Sequence, residues 1–158
     1  MPKVPSGDIR KLDVDAVVAA QIAAGDHANQ SAFSEKTKER IHRCAAERNR
    51  CPMLAPEYQD LTGDGKSELI VGFGLEESNM ALWVYRLDHG AVARILDTAG
   101  KPLFVEVANG KLVVREPMAI PGYEMRTVFS WDGRRQVMDL QTLDYVRTSP
   151  AASTEPTP

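Results

Sequence analysis

The spacing of hydrophobic positions changes period once along the chain, near Tyr58. Ahead of it, Val14, Val17, Val18 and Ile22 recur at helical intervals over residues 13–24, with Asp13 placed to cap the start and Gly25 to stop the helix. A second helix is expected from Ser31 or Ser34 to Arg48. Phe33, Thr37, Ile41, Cys44 and Ala45 share one face of it, while Glu35, Lys36, Lys38, Glu39 and Arg40 lie mostly on the other. Mixed charges of this kind decorate a solvated helix face. Pro52 and Pro56 end the helical region. Beyond Tyr58 the alternation is two-residue, and residues 69–73, 81–87, 91–96, 103–107, 111–115, 126–131 and 136–140 read as strands. Asp88-His-Gly90, Asn109-Gly110 and Asp132-Gly133 supply hairpin turns between them. The expected architecture is α+β: two N-terminal helices packed on an antiparallel meander of about seven short strands. Trp83 and Trp131 fall in strands and are expected in the core. Residues 1–12 read as a linker, 13–147 as a single domain, and 148–158, rich in Pro, Ser and Thr, as a disordered tail.

Composition narrows the function classes. With 158 residues, 43% hydrophobic and 26% charged, the chain suits one globular domain. A net charge of −3 gives no electrostatic argument for nucleic acid, which is usually met by a basic patch or stripe. The longest apolar stretch, residues 16–24, is interrupted by Gln21 and is too short to span a bilayer. No apolar signal segment follows Met1-Pro2-Lys3.

The densest chemistry lies in Asp60-Leu-Thr-Gly-Asp-Gly-Lys-Ser-Glu68, directly before an apolar strand. Ca²⁺ takes several oxygen ligands at once from a tightly curled segment. Asp60, Thr62 and Asp64 occupy alternate positions, Gly63 and Gly65 permit the curl, and the Lys66 carbonyl and the Glu68 carboxylate would complete the ring. The loop is not an EF-hand, because its twelfth residue is Val71, within a strand. The competing reading is a metal-free turn, since Asp at a turn start bonds its own backbone and Asp-Gly is a common turn pair. The turn is preferred, and a cofactor is either absent or Ca²⁺.

Two cysteines, Cys44 and Cys51, are the whole complement. Their spacing is compatible with a disulfide that closes a small loop, and two Cys with His42 fall short of a structural zinc site. The alternative is a pair of reduced thiols. The disulfide is preferred, and it implies an oxidising, extracytoplasmic compartment.

Residues 60–73 resemble the calcium loop and following strand of the FG-GAP/VCBS repeat, roughly D-x-[DN]-x-D-G-x-x-D. Carried over by position, that resemblance makes Asp60, Asp64, the Lys66 carbonyl and Glu68 ligands; Thr62 and Glu68 stand where the repeat has Asp or Asn and Asp. The loop occurs once, so the repeat's propeller is not implied. Residues 60–71, 84–90, 105–115 and 121–131 together are similar to small actinobacterial extracytoplasmic proteins, often lipoproteins. Some of these act as accessory regulators of envelope-stress signalling. The resemblance implies a non-enzymatic binding or regulatory role through a protein partner. No lipobox or anchoring Cys stands near the start, so a lipid anchor would lie outside this sequence.

Catalytic patterns are sparse. His27, His42 and His89 sit outside any recognised nucleophile motif, and no Gly-rich phosphate loop opens a helix. Residues 116–124 read as a long, apolar loop projecting from the sheet. Met118, Ile120 and Tyr123 are its candidate partner-binding anchors, against the reading that they fold back on the core. Two functions follow: an extracytoplasmic protein-binding module, or a Ca²⁺-stabilised structural or adhesive domain organised by the acidic loop.

Overall fold

The computed structural model describes residues 1–30, 33–101 and 104–148. Ser31 as a helix start, Leu103 as a strand start and the tail beyond Thr148 lie outside them. The first helix, α1 (Val14–His27), is capped by the Asp13 carboxylate, which accepts the Ala16 N–H. It runs past Gly25 and stops where Asn29 turns to φ +54°. Gly25 serves a close approach instead, because a Cβ there would lie 3.0 Å from the Gln30 carbonyl oxygen.

The second helix, α2 (Glu35–His42), begins at Ser34, whose hydroxyl accepts the Thr37 N–H. It ends well short of Arg48, and the disulfide is the reason. Cys44 and Cys51 are bonded with their Cα atoms 4.6 Å apart. Seven residues of continuous helix would hold them about 10.5 Å apart. The chain therefore leaves the helix after His42 and turns back through a single 3-10 turn at Arg48–Arg50.

The strands form two sheets instead of one meander. β1 (Glu57–Gln59), β2 (Glu68–Gly74), β3 (Met80–Asp88) and β4 (Ala91–Gly100) make the first, in that order. β5 (Phe104–Ala108), β6 (Lys111–Pro117), β7 (Tyr123–Asp132) and β8 (Val137–Arg147) make the second. All neighbours are antiparallel. The eighth strand, β1, spans three residues, too few to show a period. Two of the three expected turns are as their dipeptides require: His89 and Gly90, then Asn109 and Gly110, all have positive φ, the geometry of two-residue hairpins. The turn after Asp132 runs over residues 133–136 and places the positive φ at Gln136 instead of Gly133.

Two cores result. Val17, Val18, Ile22, Phe33 and Ile41 meet Val71, Phe73, Trp83 and Tyr85 on one face of the first sheet. On its other face Ile70, Leu82, Val84 and Leu96 meet Leu112, Val114 and Met138 of the second sheet. The layers are thus helices, first sheet, second sheet. Residues 1–12, expected to be a linker, contribute Val4, Ile9 and Leu12 to the helix-side core. No helix among the described residues is long and apolar enough to cross a membrane.

Candidate functional site

The acidic loop joins β1 to β2, and the register of that short hairpin brings its two ends together: Gln59 pairs with Glu68. The Asp60 carboxylate sits inside the curl and accepts the N–H groups of Thr62, Gly63 and Gly65 at 3.2, 2.8 and 2.9 Å. Gly63 and Gly65 have φ +78° and +80°, with open space where a Cβ would stand, so backbone conformation requires them. Glu68 is buried at the base and accepts the Leu61 N–H at 2.6 Å and the Thr62 hydroxyl at 3.2 Å. Asp64 accepts the Lys66 N–H at 2.9 Å. Ligand oxygens of Asp60, Asp64 and Glu68 all lie within 4.8 Å of one another. Of the sequence-predicted set, the three carboxylates converge; the Thr62 hydroxyl donates to Glu68, and Lys66 joins through its N–H, not through the carbonyl expected as a ligand.

The two innermost carboxyls shift in opposite directions. Burial pushes Asp60 up, but the N–H groups of Gly63, Gly65, Thr62 and Asp64 outweigh it and hold the carboxyl below its ordinary value. For Glu68 burial is the largest influence and wins over its bonds from Leu61 and Thr62, with the charges of Asp64 and Asp60 adding to the rise.

Arg86 was not legible as part of this neighbourhood. Its guanidinium lies 3.7 Å from Asp64 and 3.8 Å from Asp88, donates to Gln136 at 3.2 Å, and sits 5.0 Å over the Trp131 ring. One β3 side chain therefore links the acidic loop to the β7–β8 turn of the other sheet. Trp131 packs against the inter-sheet core, and Trp83 is fully buried on the helix side, donating its indole N–H to Asp97 at 2.9 Å.

A second feature occupies the far end of the second sheet. Of eight large hydrophobic side chains exposed among the described residues, Ile120, Tyr123, Leu140, Leu143 and Tyr145 belong to the β7–β8 hairpin or the turn leading into it. Residues 116–124 are not a long projecting loop. Pairing continues to Pro117 and Glu124, and the five residues between the strand ends, Met118–Gly122, form a turn closed by the Met118 N–H to the Tyr123 carbonyl. Met118 is half-buried, whereas Ile120 is 57% exposed and Tyr123 opens β7. Tyr123 pairs with Arg147, Met125 with Tyr145 and Thr127 with Leu143, so the strip shares the face that farther along packs into the inter-sheet core. Arg147 stacks 5.9 Å over Tyr123 at its end. The sequence does carry this signal, since Thr142 to Tyr145 alternates polar and apolar beyond residue 140, where the expected strand stops.

His27 ends α1, His42 ends α2 and His89 stands in the β3–β4 turn, 2.7 Å from Asp88. They lie on three separate elements and form no shared constellation. Compared with protein-family models, curated proteins and solved structures, the chain shows no significant match. The functional argument rests on geometry.

Proposed function

We propose that this protein is a non-enzymatic, extracytoplasmic binding module that contacts a protein partner through the β7–β8 face and the Met118–Gly122 turn. The observation that carries this reading is the clustering of Ile120, Tyr123, Leu140, Leu143 and Tyr145 on one end of one sheet, where scattered exposure would carry no weight. Aromatic anchors on a rigid strand lose little entropy when they dock. The disulfide supports an extracytoplasmic compartment, since such bonds persist where thiols are not kept reduced. A photo-reactive amino acid placed at Tyr145, with Lys36 on α2 as control, tests the surface. The expected result is one adduct of defined mass from Tyr145 alone, competed away by unlabelled wild-type protein and not by a Leu143→Asp variant. Equal labelling from both positions overturns the reading. Alkylation of the protein in intact native cells tests the compartment, and finding Cys44 and Cys51 as free thiols there overturns it.

A second reading, a Ca²⁺-stabilised structural or adhesive domain, is favoured by the convergence of Asp60, Asp64 and Glu68. Against it, Asp60 already accepts three backbone N–H groups, which a cation would have to displace or share. A cation bound only by the folded state raises the melting temperature. Unchanged melting in millimolar Ca²⁺ removes this reading.

A further inference from the structure

The helix α2 has little of its own to hold it. It is eight residues long, it buries only Thr37, Lys38 and Ile41, and helices of this length are marginal in isolation. Its ion pairs, Lys38 with Asp26 and Glu35, have exposed partners and contribute little. The chain beyond Cys51 is anchored quite differently. Pro52 accepts the Gly74 N–H at 2.8 Å, Leu54 donates to the Gly72 carbonyl at 2.9 Å, and Met53 bridges to Phe73, which adds a short ladder along β2. The disulfide joins the weak element to the firm one. Phe33, immediately ahead of the α2 cap, stacks on Phe73 at 5.1 Å and on Trp83 at 5.2 Å, so this part of the chain roofs an aromatic platform on the first sheet.

We propose that the Cys44–Cys51 disulfide is a redox latch on α2, whose reduction releases residues 33–50, Phe33 included, and opens the Phe73–Trp83 platform while both sheets stay folded. Cys44 is fully buried and Cys51 half-buried, so Cys51 is the partner from whose side an external dithiol would attack. Its thiolate bonds to Cys51 as the Cys44–Cys51 bond breaks, and the Cys44 thiolate leaves and takes a proton from water. The reductant's second thiol, losing its proton, displaces the Cys51 thiolate, which is protonated in turn. The protein gains two thiols and the reductant becomes a disulfide.

Hydrogen exchange on the folded protein, with and without dithiothreitol, tests the latch. Opening a cross-link of this loop length is expected to speed exchange in residues 35–50 about 50-fold. Protection of β3 and β7 stays unchanged, and reoxidation restores α2. A Cys44→Ser/Cys51→Ser variant is expected to match the reduced protein. Unchanged protection of α2 after verified reduction overturns the proposal, and so does loss of protection in both sheets together, which would make the bond a global staple.

Discussion

In the first sheet β3 buries five successive residues, 81–85, whereas in the second sheet β8 leaves six successive residues, 140–145, exposed. Both strands are rich in large apolar side chains, so composition does not separate them. What separates them is cover. Helices lie on one face of β3 and the second sheet lies on the other, as the two cores require. β8 is an edge strand, and its Leu140, Leu143 and Tyr145 lie at the end of the inner face that the first sheet fails to cover. One sheet is therefore covered on both faces, and the other keeps an unfinished surface, where an interaction costs the fold little.

The largest effect that could break this contrast is Trp83→Ala. It removes a fully buried ring packed against Phe33 and Phe73 and capped by Arg94 at 5.0 Å. The expected cost is about 3–5 kcal/mol, read from urea unfolding. Next comes Glu68→Ala, which strands the Leu61 N–H and the Thr62 hydroxyl at the start of β2 and is expected to cost about 1–3 kcal/mol.

Glu68→Gln sharpens the same point through pH. The raised Glu68 carboxyl binds its proton more tightly folded than unfolded, so its contribution is fully present below its ordinary value of 4.5 and is lost as pH rises through the folded value. Asp60 has the opposite sign: its contribution is present above 3.8 and is lost as pH falls through its lowered folded value. Unfolding midpoints from pH 4 to 7 should show the wild type losing ground to Glu68→Gln as pH rises. A constant difference between the two proteins would contradict the raised value.

Tyr85→Phe is a smaller and more unusual test. The Tyr85 hydroxyl is buried in the helix-side core with no hydrogen-bond partner among the described residues, and burial raises its pKa. Removing it is expected to be neutral or to stabilise by up to about 1 kcal/mol, whereas a loss above that size would show a partner for the hydroxyl. The smallest effect on stability belongs to Tyr145→Ala, within about 0.5 kcal/mol, because the ring is 67% exposed. If the strip is the partner surface, the same change weakens binding about tenfold or more. A large loss of stability from Tyr145→Ala would erase the contrast between the sheets.

The local elements were largely legible because their signals are local. Asp13 and Ser34 cap the helices as their side chains suggest, and Asn109-Gly110 makes the turn its φ preferences allow. The end of α2 was not legible, because the Cys44–Cys51 bond overrides a helical pattern that continues in the sequence. β1 was missed because three residues carry no period, and it forms only by pairing with β2. The acidic loop was readable as a cluster of acceptors. Its neighbour Arg86 was not, since Asp64 meets it from the β1–β2 loop of its own sheet, and Trp131 and Gln136 reach it through the packing of one sheet on another.

By itself the sequence determined the class of most elements, favoured the cysteine pair and marked Asp60, Asp64 and Glu68 as one cluster, because each depends on backbone geometry over a few residues. Only the tertiary structure decided that eight strands divide into two sheets and which of their faces are covered. That division determines why Trp83 is sealed while Tyr145 is open, since a strand's two faces are buried by elements distant in sequence, and alternation within the strand does not reveal what lies across from it.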